Sequence, residues 1–69
     1  MFQLHSIVRL KEDNEEYGVP ATAIGAIVDV HALNGANVYT VEFIDENGDT
    51  YEDALFTDFN EDELESVEE

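Results

Sequence analysis

Val38-Tyr39-Thr40-Val41-Glu42-Phe43-Ile44, running into Asp45-Glu46-Asn47-Gly48-Asp49, is the stretch that decides the fold. Tyr39, Val41 and Phe43 alternate with Thr40 and Glu42, the period-2 pattern of a strand buried on one side. The Asn-Gly dipeptide that follows sits at the tip of an acidic loop and reads as a hairpin turn. Thr50 to Phe56 then reads as the returning strand, with a bulge where its alternation slips at Asp53-Ala54.

Upstream, Asn34-Gly35 supplies a second turn, since both residues tolerate positive φ. Before it, Ile24-Gly25-Ala26-Ile27-Val28-Asp29-Val30 reads as another strand. Its face of Ile24, Ala26, Val28 and Val30 is entirely apolar, with Asp29 opposite. Gly25 within it marks a bulge or a close backbone approach. Lys11 to Thr22 is polar, contains Gly18 and Pro20, and reads as a long surface loop tacked down by Tyr17 and Val19. Ile7 to Leu10 is the first strand, with Val8 and Leu10 on one face and Ile7 and Arg9 on the other. At the far end, Asn60 and Glu63 have capping-box spacing, and Leu64 and Val67 are three apart. Asn60 to Val67 therefore reads as one or two helical turns or a short closing strand, with Glu68 and Glu69 fraying. The expected architecture is all-β: a small antiparallel barrel of four to five strands, one domain over residues 1–69 with an acidic end at 57–69.

Ser6-Ile7-Val8-Arg9-Leu10, then Gly25-Ala26-Ile27-Val28, then Tyr39-Thr40-Val41-Glu42-Phe43-Ile44-Asp45 with Gly48 and Thr50, resembles the pattern of a family of short bacterial proteins. That family is known only as a domain of unknown function and is associated with an SH3-like barrel. Its members read roughly V-x-L, a polar loop, G-x-I-V, then Y-x-V-E-F-x-D-x-x-G. They carry a second glycine just before G-x-I-V, where this chain has Ala21-Thr22-Ala23-Ile24. More distantly, Gly25-Ala26-Ile27-Val28-Asp29-Val30-His31 and Val38-Tyr39-Thr40-Val41-Glu42-Phe43 are similar to the barrel domain of nitrile hydratase β subunits. That enzyme's metal-binding cysteines have no counterpart here. Both likenesses imply an SH3-like fold, and neither carries a function over to this chain.

The chain has 18 acids against Arg9 and Lys11, a formal net charge of -16. From Asp45 to Glu69 there are twelve acids and no base, and the remaining 44 residues carry a net -4. Such a field repels nucleic acid and anionic lipid and attracts basic surfaces and cations. Direct nucleic-acid binding needs a basic or aromatic-plus-basic face, for which two cations are too few. With 43% hydrophobic residues in patterned runs, the chain exceeds the composition of a disordered acidic tail. It has no cysteine, hence neither disulfides nor thiolate metal sites. No apolar run reaches the roughly 18 residues that span a bilayer, and Met1 to Leu10 lacks the pattern of a secretory signal, so the expected location is the cytoplasm.

Constellations that could carry chemistry are thin. Asp45-x-Asn47-x-Asp49 has the oxygen spacing that begins a calcium loop, yet Thr50 and Phe56 stand where such a loop needs Gly and Glu. Asp58-x-Asn60-x-Asp62 places Glu69 at the twelfth position but Glu63 where Gly is required. Turn chemistry and solvation explain both, so no metal and no cofactor is expected. His5 and His31, the only imidazoles, read as surface residues near strand ends. Ser6 and Ser66 lack a His and an orienting acid at recognisable spacing, and so small a barrel has little room for a ligand pocket of ~300 Å³ or more. Catalysis is therefore not expected.

What remains is a protein-binding module directed at a basic protein surface, in the manner of an immunity protein, antitoxin, inhibitor or nucleic-acid mimic. Its candidate contacts are Asp45, Glu46, Asp49, Glu52, Asp53, Asp58, Glu61 and Asp62, with Tyr51 and Phe59 as aromatic anchors. The alternative is a small accessory or structural subunit on a larger enzyme, its acidity reflecting only a saline cytoplasm.

Overall fold

The structure is a computed structural model that describes residues 2–55 and 57–67. Phe56, at the end of the expected returning strand, and Glu68 and Glu69, expected to fray, lie outside the described residues. Strands β1 (Ile7–Leu10), β2 (Ile24–Leu33), β3 (Ala36–Ile44), β4 (Phe59–Asn60) and β5 (Leu64–Ser66) form one antiparallel sheet in the order β4-β3-β2-β1-β5. A helical turn α1 (Glu52–Leu55) and a 3₁₀ turn (Glu61–Glu63) complete it. Only that three-residue turn separates β4 from β5, the two edges of the sheet. The sheet therefore has to curl so that the end of β4 and the start of β5 come close. The Cα radius of gyration, 11.0 Å, is that of a compact chain of this length despite its charge.

Alternation reads correctly where only one side of a strand is apolar. Val8 and Leu10 from β1, and Tyr39, Val41 and Phe43 from β3, are all buried. They join Ile27, Phe59, Leu64, Ala54, Val19 and Ala23 in one core, with Phe43 and Phe59 meeting edge-to-face at 5.3 Å. The long loop is tied to this core as expected. Val19 is fully buried, Tyr17 rests against the core, and Asn14 and Val19 exchange two backbone hydrogen bonds of 2.8 and 3.0 Å. At the β2–β3 turn, Asn34 and Gly35 have φ of 53° and 81°, the two positive values a tight primed hairpin requires.

Strand β2 departs from the reading. Gly25 and Ile27 point inward, while Ile24 and Val28 are exposed, so the all-apolar set lies largely on the solvent side. The cause is Gly25, over which β3 passes closely. A methyl group there would stand 2.7 Å from the Val41 side chain and 2.9 Å from the Glu42 carbonyl and from the Phe43 ring. The strand also bulges, as the register shifts between Ile27 and Asp29 and leaves Val28 without a partner. Beyond the bulge the alternation changes phase.

Nor does Thr50 to Phe56 return as a strand. Thr50 makes one bridge to Ile44, then the chain turns helically. Tyr51 N–H donates to the Phe43 carbonyl, and Ala54 N–H to the Tyr51 carbonyl. Glu52 and Asp53 occupy the first helical turn, where the exposed amide ends favour acids, and Ala54 is buried. The slip at Asp53-Ala54 is thus the start of a helical turn and not a bulge. Residues 60–66 realise both expected alternatives in succession. Glu63 Oε1 accepts from Asn60 N–H at 3.0 Å across the 3₁₀ turn, and β5 then closes on β1.

Candidate functional site

Every acid among the described residues is at least partly exposed, and no charged side chain is buried. Arg9 pairs with Glu65 at 2.5 Å in a half-exposed setting, which contributes at most about 1 kcal/mol. The excess negative charge therefore lies at the surface.

An exposed aliphatic strip interrupts it. On the outer side of the sheet Ile24 faces Ile44 across β2 and β3, and Arg9 lies beside Ile24 on β1. Ile7 faces Ala26 one step along. Ile7, Ile24 and Ile44 are each more than 40% exposed. The Ile24–Ile44 ladder pair is a two-residue exposed apolar patch, with Ile7 diagonal to Ile24 across β1 and Arg9 directly beside it. Adjoining exposed apolar residues mark interaction surfaces more often than scattered ones do.

The patch continues into a surface groove of about 650 Å³ lined by Pro20, Thr22, Ala23, Ile24, Ile44, Asp45, Glu46, Asn47 and Tyr51. Pro20, Ala23, Ile24 and Ile44 give it an aliphatic lining beside Tyr51, and Asp45 and Glu46 add an acidic rim. The rim is stiff. Asp45 Oδ1 accepts from Asn47 N–H at 2.8 Å and Asp49 N–H at 2.9 Å. The Asp45 carbonyl accepts from Gly48 N–H, and Asp45 N–H donates to the Asp49 carbonyl. This is the turn chemistry expected of the Asn47-Gly48 tip. Contrary to the expectation that so small a fold lacks room, the hollows are large, because they lie between surface elements and not inside the core.

The residues read as contacts divide between two ends of β3. Asp45, Glu46, Asp49 and Tyr51 gather at its Ile44 end. Glu52 and Asp53 line a hollow of about 270 Å³ beside Tyr17, Thr50 and Tyr51. Glu61 and Asp62 stand at the opposite end, lining a hollow of about 720 Å³ with Phe2, Lys11, Ala36, Asn37, Asn60 and Leu64. There the Tyr39 hydroxyl donates to Glu61 at 2.9 Å and accepts from Phe2 N–H at 3.2 Å. Burial pushes the Tyr39 phenol above its ordinary pKa. Phe59 must be removed from the set of anchors, because it is 1% exposed and packed edge-to-face against Phe43 inside the core. The exposure of Ile24 and Ile44 was not legible in the sequence, since nothing in an apolar run says which side the fold will bury.

Asp58 belongs to a third cluster. His31 lies within the β2 arm, with its Nε2 3.5 Å from Asp29 Oδ2, 3.9 Å from Asp58 Oδ1 and 3.2 Å from Thr40 Oγ1. Thr40 in turn donates to Asp58 at 3.2 Å. All four are at least partly exposed, and His5 is exposed elsewhere. Among the described residues no group of three or more His, Asp or Glu is arranged to hold a metal ion. No helix among them is long and apolar enough to cross a membrane.

The sequence model of one family, Domain of unknown function (DUF4926), matches residues 4–66. No curated protein and no solved structure matches the chain.

Proposed function

We propose that this chain, which belongs to the DUF4926 family, is an SH3-like barrel that acts without catalysis, docking on a basic surface of another protein to neutralise or regulate it. An immunity protein, antitoxin, inhibitor or nucleic-acid mimic works in this way. The observation that carries the reading is the join between charge and apolar surface: Ile24 and Ile44 lie exposed beside Asp45 and Glu46 at one groove. Complementary fields raise the encounter rate, and a desolvated apolar centre slows dissociation. Solvated charge alone would supply only the first.

The exposed isoleucines also favour a second reading, a small accessory subunit packed on a larger enzyme, which the likeness to nitrile hydratase β subunits motivates. The two differ in salt dependence. At ~1 M salt the Debye length falls to about 3 Å, which suppresses charge-driven association and spares apolar packing. Affinity capture on the immobilised chain at low salt, followed by a NaCl gradient, tests them. The expected result is one stoichiometric basic protein released by salt. A partner retained at ~1 M NaCl supports the accessory subunit, and recovery of no basic partner overturns the first reading.

A further inference from the structure

We infer that the groove between Pro20–Ile24 and Ile44–Tyr51 receives one large apolar side chain of the basic partner, whose flanking Lys or Arg residues pair with Asp45 and Glu46. This rests on the basic-partner reading and says where on the chain, and by what chemistry, the partner is recognised. An acidic rim by itself would accept any cationic segment. The aliphatic lining supplied by Ile24 and Ile44, together with Tyr51, adds a requirement that a purely polar basic segment cannot meet. At about 650 Å³ the hollow accommodates an aromatic or leucyl side chain together with the methylene stems of its basic neighbours.

The same charge argues against the other occupants of an exposed apolar face. A second copy would bring another -16 to the groove, with its own uncompensated acids. Nucleic acid and anionic lipid are repelled for the same reason. A cationic segment gains from the rim instead. That rim is held before binding by the four hydrogen bonds that fix Asp45, so little main-chain ordering is left to oppose association.

The test is a titration of the ¹⁵N-labelled full chain with three synthetic peptides of equal length. One has a central Phe flanked by Lys and Arg, the second replaces Phe with Ser, and the third keeps Phe but has Glu flanks. The Phe-centred basic peptide is expected to bind about ten-fold or more tightly than the Ser-centred one. Its amide shifts should concentrate on Thr22, Ile24, Ile44, Asp45, Glu46 and Tyr51, and Ile44→Thr should erase its advantage while leaving the spectrum folded. If both basic peptides bind equally, with shifts centred on Glu61 and Asp62, the groove assignment is overturned and the basic-partner reading stands. If the acidic peptide binds as tightly as the basic ones, both fall. Absence of binding by all three at about millimolar concentration overturns the groove assignment.

Discussion

Ile24 and Ile44 face each other directly across β2 and β3, on the solvent side of the sheet, at 44% and 43% exposure. Two β-branched residues at a ladder pair stiffen the sheet wherever they point, but their outer faces gain nothing from water. Beside them the Asp45–Asp49 loop supplies charge at a fixed position.

Replacing Ile44 with Thr keeps the β-branched shape and removes apolar surface that the core does not use. Stability should change by no more than about 1 kcal/mol, measured by urea unfolding. Partner affinity should fall by about ten-fold or more. A large loss of stability would show that Ile44 serves the fold and not a partner.

Gly25→Ala should be far more damaging than its size implies. The added methyl meets the Glu42 carbonyl at 2.9 Å, and backbone cannot yield as a side-chain tip can. The expected cost is about 1–3 kcal/mol, and for a domain this small each kcal/mol lowers Tm by about 4–8 °C. A Tm unchanged from the wild type would contradict the close approach of β3 over β2.

Tyr39→Phe removes a hydroxyl that accepts from Phe2 N–H and donates to Glu61. A loss of about 0.5–1.5 kcal/mol at neutral pH is expected. Burial raises the folded-state pKa of Tyr39, so its neutral form is the one the fold favours. That contribution is complete below the unfolded value of about 10 and is lost as pH rises through the folded value. The wild type should therefore lose stability above pH ~10, and part of that loss should be missing in the Phe variant. Parallel curves for the two proteins would contradict the assignment.

These outcomes also mark what the sequence could convey. Tyr39, Val41 and Phe43 were legible because their neighbours Thr40 and Glu42 are polar, which leaves one choice of inner face. In β2 one side is wholly apolar, yet the other, with Gly25 and Ile27, faces inward. The close approach of β3 that requires the glycine shows only once the two strands are paired. The bulge at Val28 then breaks the alternation. The helical turn at Glu52–Leu55 was hidden by apolar residues at strand-compatible spacing, and what decides it is the burial of Ala54 together with the bond from Tyr51 to Phe43. For the site, the number of acids was plain but their separation to two ends of β3 was not. That Ile24 and Ile44 are exposed could not be read before their side of the sheet was known.

Self-repulsion should make stability depend on salt. Among the described residues Arg9 meets only Glu65, and His31 lies near Asp29 and Asp58, so most of the charge is uncompensated. Tm should rise with added NaCl, most steeply below ~0.1 M, where the Debye length is about 10 Å or more. A flat or falling curve, read by calorimetry, would mean that bound cations already relieve the repulsion.

The central claim, that the chain meets a basic partner through the Ile24–Ile44 groove, is tested most directly by photo-crosslinking in the cells that make it. A photoreactive residue is placed at Ile44, and as a control at Leu33, on the exposed end of β2 away from the groove. The account predicts one dominant adduct from position 44, with a protein of basic surface, and little from position 33. Equal labelling from both positions, or a dominant adduct with an acidic protein, would contradict it.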